Sequence, residues 1–179
     1  PDVVLSEGFL LDVDLPVDYY DVVMSFQVLE HVQSPRLFLE KIYHSLKKDG
    51  VVHLEVPNRN AALLRHYEKA QHSKFYYHRN HIHYFTNNSL TELCSVCGLE
   101  GETSSELMYP FFNHVYWHFS QQPQQTAELA LNTPVPANGL TEIGQSINEF
   151  FRQVQAEYEQ VIKSYGIGDI LVYQGRRKL

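Results

Sequence analysis

The chain has 179 residues, enough for one domain with an ordinary hydrophobic core. Apolar residues make up 44% and charged residues 20%, a globular balance in which 12 Tyr and 10 Phe stand out. A net charge of −7 and a pI near 5.8 argue against a broad basic surface for nucleic acid or anionic membrane.

The opening DVVLS (2–6) reads as a short buried strand, and GFLLDVDLP (8–16) as a loop with a local acidic pair. YDVVMSF (20–26) is a β-branched apolar run without alternation, as expected of a strand covered on both faces. Ser34 then caps a helix with Pro35 at its first position, and Leu37, Phe38, Ile42 and Leu46 follow at helical spacing. Lys47 and Lys48 suit its negative end, and Asp49-Gly50 stops it. VVHLEVP (51–57) is the next strand, followed by a polar helix near Ala61 to Gln71. Thr86 caps the helix NNSLTELCSVC, Gly98 ends it, and LEGETSSEL (99–107) supplies a further strand.

This alternation is the signature of a parallel, doubly wound sheet. Right-handed crossovers place the loops at 25–31 and 57–60 along one edge, where open α/β sheets bind their ligands. The turn Ser25-Phe26-Gln27 is therefore a candidate site by topology alone.

The remainder differs in kind. YPFFNHVYWHF (109–119) puts six aromatic side chains into eleven residues, and a Gln/Pro-rich linker follows. A long helix from about Leu140 to Ser164 carries apolar residues in steps of three and four, which predicts one buried face. It could instead serve a partner or a homodimer. DILVYQG (169–175) is a closing strand.

The two cysteines, Cys94 and Cys97, form an isolated CxxC on an amphipathic helix. Without a second pair they read as buried thiols in a reducing, cytoplasmic setting. The chain shows no signal peptide and no apolar run long enough to cross a bilayer. It opens at Pro1 without an initiator Met, which reads as an internal fragment or a processed form.

The stretch YDVVMSFQVLEHVQSPRLFLEKIYHSLKKDGVVHLEVPN resembles the central segment of class I S-adenosylmethionine-dependent methyltransferases, in particular the group related to ubiquinone-type O-methyltransferases. LKKDG stands where that group reads LKPGG, and HRNHIHYFTNNSLTELCSVCGLE resembles its H-x-x-x-F-T-x-x-S-L segment. GIGDILVYQGRRK is similar to its last strand. The resemblance implies a partial Rossmann-like α/β sheet with helices on both faces and a helical insertion before the last strand. Residues 1–107 would be a truncated core, 108–165 the aromatic and helical insertion, and 166–179 the closing strand.

It also implies absences. No GxGxG-like loop occurs, and the chain would begin at the family's third strand, so roughly 60 to 80 residues would be lacking. The chain alone would then bind the cofactor S-adenosyl-L-methionine poorly. Ser25, Phe26 and Gln27 would line the cofactor pocket. Phe9 falls near the place of the family's adenine-contacting acid, and Asp12, the nearest acid downstream, is a candidate contact or simply a loop acid like Asp14.

Some relatives carry E-x-x-E-H plus a distant His that together bind a divalent metal. Here Gln27 replaces the first acid, whereas Glu30, His31 and His81 remain as candidate ligands for Mg²⁺ or another divalent ion. The alternative leaves Glu30 and His31 as ordinary turn residues, with His31 or His81 as general base. His72, His78, His81 and His83 are too irregularly spaced for a zinc site and read as a substrate-facing lid, with His83 structural. The implied reaction is methyl transfer to a small-molecule, sugar or lipid-linked acceptor. Its rival is a non-catalytic interaction module that kept the fold and lost the cofactor.

Overall fold

A four-stranded sheet organises the chain, and the computed structural model describes residues 5, 7–67, 70–132 and 137–178. The strand expected at 2–6 falls, but for Leu5, outside them. A 3₁₀ turn at Leu10–Asp12 leads to β1 (Tyr20–Phe26). Helix α1 (Pro35–Ser45) starts as its sequence dictates. Ser34 Oγ accepts the Leu37 N–H at 3.4 Å, and Pro35 sits at N1, where no N–H is needed.

The helix stops at Ser45 and not at Asp49-Gly50. Leu46 is fully buried and pairs with Tyr20, so the strand ladder claims Leu46 onward for β2 (Leu46–Pro57). The expected helix-ending turn survives as a bend within that strand, with Asp49 at φ 61°. The single polar helix expected near 61–71 is two pieces, α2 (Ala62–Arg65) and α3 (Ala70–Tyr76). The Ala62 N–H donates to the Ile167 carbonyl at 2.8 Å and ties α2 to the segment before the last strand.

Helix α4 (Asn87–Val96) opens on a reciprocal capping box between Thr86 and Ser89. Gly98 follows at φ 83°, where a Cβ would lie 2.7 Å from the Tyr43 ring. Cys94 and Cys97 are buried free thiols, and burial pushes Cys94 well above the usual thiol range. Then come β3 (Leu99–Glu106), α5 (Phe111–Ser120), α6 (Ala127–Leu131), α7 (Glu142–Ser164) and β4 (Ile170–Arg177).

The sheet order is β1-β2-β4-β3. β1 and β2 are parallel, but β4 runs antiparallel to both its neighbours, which corrects the wholly parallel sheet expected from strand–helix alternation. Glu106 and Pro57 both register with Ile170, so the insertion leaves and re-enters the sheet at the edge where β2 ends. β1 ends there too. Leu29, Phe38, Leu39 and Ile42 pack with Val52, Leu54, Val56, Leu90, Cys94, Leu171 and Tyr173 into one core.

Two apolar surfaces are more open than expected. Among the described residues β1 is the outermost strand, and Val22, Met24 and Phe26 are 47%, 60% and 52% exposed, so these residues leave it uncovered on one face. Leu140 just before α7, and Ile143, Ile147 and Phe150 on it, are exposed instead of forming a buried stripe. Only part of that helix is covered. Phe151 stacks near Phe112, Tyr158 near Phe111, each at 5.0 Å between ring centroids, and Ile162 is buried.

A polar network pins α5 and α7 to the start of β4. The wholly buried His114 places Nε2 3.1 Å from Asp169 Oδ1 and Nδ1 2.6 Å from Tyr158 Oη. Asp169 Oδ2 accepts the N–H groups of Met108 and Tyr109. Among the described residues no helix is long and apolar enough to cross a membrane.

Candidate active site

The carboxyl edge of β1 and β2 gathers the loops singled out from sequence. Ser25, the last buried residue of β1, leaves its Oγ without a partner. Phe26 is exposed with its ring 5.5 Å from that of His53. Gln27 takes a left-handed φ of 53°, uncommon for a non-glycine, and its N–H donates to the Glu55 carbonyl at 2.9 Å. That bond ends the β1–β2 ladder and turns the chain toward Glu30. The Gln27 Nε2 is buried without a partner.

Glu30 is 1% exposed, and neither carboxylate oxygen has a hydrogen-bond partner. Its backbone carbonyl accepts the N–H groups of Ile82 and His83 at 3.0 and 3.1 Å. Those two bonds bring the distant segment around His81 against the 27–31 turn. His31 Nδ1 lies 2.6 Å from the Asn80 carbonyl, so Nδ1–H donates there and Nε2 is left facing Glu30 Oε1 at 3.6 Å. The His81 ring lies 4.8 Å from that of His31, with its Nδ1 buried and partnerless.

The structure thus brings Glu30, His31 and His81 together, one potential ligand atom from each lying within 4.8 Å of the others. Burial holds the Glu30 carboxyl above the usual range, against smaller opposing contributions from its own nearby backbone amide and from His31. The His81 imidazole is pushed down to about 4, first by burial and then by His78 and His31, and is neutral at pH 7. A buried carboxylate and a neutral imidazole, both with unused lone pairs, suit a divalent cation. The Asn80 carbonyl on the far side of His31 is the outer-shell bond that metal-ligating histidines ordinarily make.

Asp12 is exposed in the 3₁₀ turn. It lines a half-open cleft of about 510 Å³ that also takes in Phe9, Val28 and His31. The histidine-rich segment divides between two places. His81 belongs with Glu30 and His31, and the His78 ring lies 4.0 Å from that of His81 but outside the group whose ligand atoms converge, whereas His72 stands edge-on to Trp117 at 4.7 Å. Burial pushes His72 down to about 4. Tyr76 lies 6.5 Å from His81 between ring centroids, and its buried hydroxyl has no partner.

Sequence reasoning missed Asn80, which acts through its carbonyl and so leaves no side-chain signal. It also passed over the role of Asn58 in the Pro-Asn pair after β2. The buried Asn58 amide donates to the carbonyls of Gly166 and Gly168 and lies 3.3 Å from Ser105 Oγ, and its Oδ1 accepts the Asn60 N–H. It fixes the 58–60 loop to the segment entering β4.

A family of methyltransferase domains matches residues 6–104, more than half of the chain. The chain belongs to the methyltransferase domain family. This methyltransferase domain is also similar in fold to a SAM-dependent methyltransferase of Thermotoga maritima, at 18% identity and a TM-score of 0.57, over 98% of this chain and 65% of that one. The Haloferax volcanii methyltransferase solved in complex with the Trm112 activator gives 15% identity and a TM-score of 0.52, over 96% of this chain and 60% of that one. The [4+2]-cyclase SpnF gives 14% and 0.51, over 97% and 55%. The domain therefore spans less than two thirds of the length of these solved structures. A cyclase among them shows that the fold alone does not name a reaction. No curated protein matches the chain.

Proposed function

We propose that this methyltransferase domain takes part in methyl transfer from S-adenosyl-L-methionine to a hydroxyl group of a small-molecule, sugar or lipid-linked acceptor. The observation that carries the reading is the convergence of Glu30, His31 and His81, with unpartnered ligand atoms, beside the Ser25-Phe26-Gln27 turn at the carboxyl edge of the sheet. Ser25, Phe26 and Gln27 line the cofactor side, with Asp12 the nearest acid across the neighbouring cleft. The insertion at 108–165 leaves from the same edge and encloses the acceptor side.

The reaction is a single in-line displacement. The bond from methyl carbon to sulfonium sulfur breaks as the bond to the acceptor oxygen forms, and the acceptor's proton passes to a base. The protein's contribution is to hold donor and acceptor in line and to take that proton. A divalent ion held by Glu30, His31 and His81 would lower the pKa of a bound hydroxyl. Without one, the neutral His81, or His31 held by Asn80, is placed to accept the proton.

The test is calorimetric titration of S-adenosylhomocysteine into the complete product of the gene, with and without added divalent metal. Micromolar binding supports the reading. No binding by a folded protein overturns it and leaves the non-catalytic interaction module.

A further inference from the structure

The segment His78-Arg79-Asn80-His81 is one tight turn, closed by the His81 N–H donating to the His78 carbonyl at 3.2 Å. Such a turn holds its first and fourth Cα atoms within about 7 Å. Here the two end residues are both histidines, and their rings lie 4.0 Å apart between centroids at an interplanar angle of 47°. The third residue, Asn80, turns its carbonyl onto His31 Nδ1 at 2.6 Å. One turn therefore presents two imidazoles side by side and orients a third.

The backbone of His78 is held from a second direction, since the Tyr84 hydroxyl donates to its carbonyl at 3.4 Å. Its side chain is exposed, and its ring nitrogens lie outside the group formed by Glu30, His31 and His81, so joining them takes a turn about χ1 and χ2. The buried residue it would approach, Glu30, has both carboxylate oxygens unpartnered. Gln27, at the head of the same turn, carries a buried unpartnered amide and no carboxylate.

We propose that His78 is a fourth metal ligand, joining Glu30, His31 and His81 to make a three-histidine, one-carboxylate centre that prefers an imidazole-binding ion such as Zn²⁺ to Mg²⁺. The inference rests on the metal reading above and adds to it one ligand and the class of ion. Mg²⁺ demands oxygen ligands and keeps much of its water, whereas imidazole nitrogen suits Zn²⁺ and its first-row neighbours. A single carboxylate among three imidazoles selects the second group.

The test is calorimetric titration of ZnCl₂ and of MgCl₂ into the metal-free 179-residue chain, its His78→Ala variant and a His31→Ala/His81→Ala double variant. Nitrogen-15 NMR of the imidazoles runs alongside. The expected result is one Zn²⁺ per chain, lost in the double variant. Affinity should fall by at least about 10-fold in His78→Ala, the lower bound seen for residues merely supporting a ligand. A ring nitrogen of His78 should move into the range of a metal-bound imidazole nitrogen, as those of His31 and His81 do, which proximity to the ion alone would not produce. His78 is exposed, so its variant should fold, checked by circular dichroism. No stoichiometric Zn²⁺ binding by the unaltered chain, or binding undiminished in the double variant, overturns the metal reading and this inference together. Tight binding that His78→Ala leaves within two-fold removes His78 alone. Mg²⁺ binding as tight as Zn²⁺ overturns the class of ion.

Discussion

Replacing Glu30 by Gln tests the site through stability, without substrate. The carboxylate is buried beneath the 81–83 segment with no hydrogen-bond partner, and burial raises its pKa. An acid whose folded pKa is raised destabilises the fold as pH rises from its unfolded value, about 4.3, through the folded one. Below that window both states are protonated and the effect is absent. A buried polar group left unpaired costs about 1–3 kcal/mol, and more when charged. Gln keeps a buried polar group there and removes only the charge, so in metal-free buffer at pH 7 Glu30→Gln should be more stable by about 1 kcal/mol or more, a rise of roughly 2–4 °C or more in Tm for a chain of this size. The gain should vanish by about pH 4. Zn²⁺ should reverse the order. At about 100 times its Kd a ligand bound only by the folded state adds about 2.7 kcal/mol, which the unaltered chain should gain and the variant should not. Scanning calorimetry across pH, with and without ZnCl₂, reads all of this. A metal-free variant no more stable than the parent at pH 7 refutes the unpaired carboxylate. A parent whose Tm ignores Zn²⁺ refutes the ligand set.

Two further outcomes follow from the scaffold. His114→Ala should cost about 1–3 kcal/mol in urea unfolding, because it strips the buried Asp169 Oδ1 and the Tyr158 hydroxyl of their shared partner; a loss under about 0.5 kcal/mol would show the network to be dispensable. Gly101→Ala should open the β3–β4 ladder, since the added Cβ meets the Gln174 carbonyl and Gly175 Cα, backbone atoms with no room to give. Faster amide hydrogen exchange along both strands checks it, and unchanged exchange refutes it.

Local chemistry made much of this fold legible in the chain. Ser34-Pro35, Thr86 with Ser89, and Gly98 set helix boundaries through bonds a few residues long, so their signals are written side by side. The Ser25-Phe26-Gln27 turn was legible because strand-then-helix order fixes which edge a loop occupies. Leu46 shows where that reasoning stops. Its helical spacing was real, but pairing with Tyr20 outweighed the helix signal of Lys47, Lys48 and Asp49. The apolar patterns of β1 and α7 told which face is greasy, not whether anything covers it.

The sequence by itself determined the class of domain and singled out Glu30, His31 and His81 as candidate ligands. Only the tertiary structure decided that they meet, that the His78 ring stands against that of His81, and that Asn80 aims His31 through a carbonyl. The physical reason is that two backbone bonds from Ile82 and His83 to the Glu30 carbonyl bridge some fifty residues of chain. Backbone groups are the same in every residue, so no side-chain pattern announces where such bonds will form.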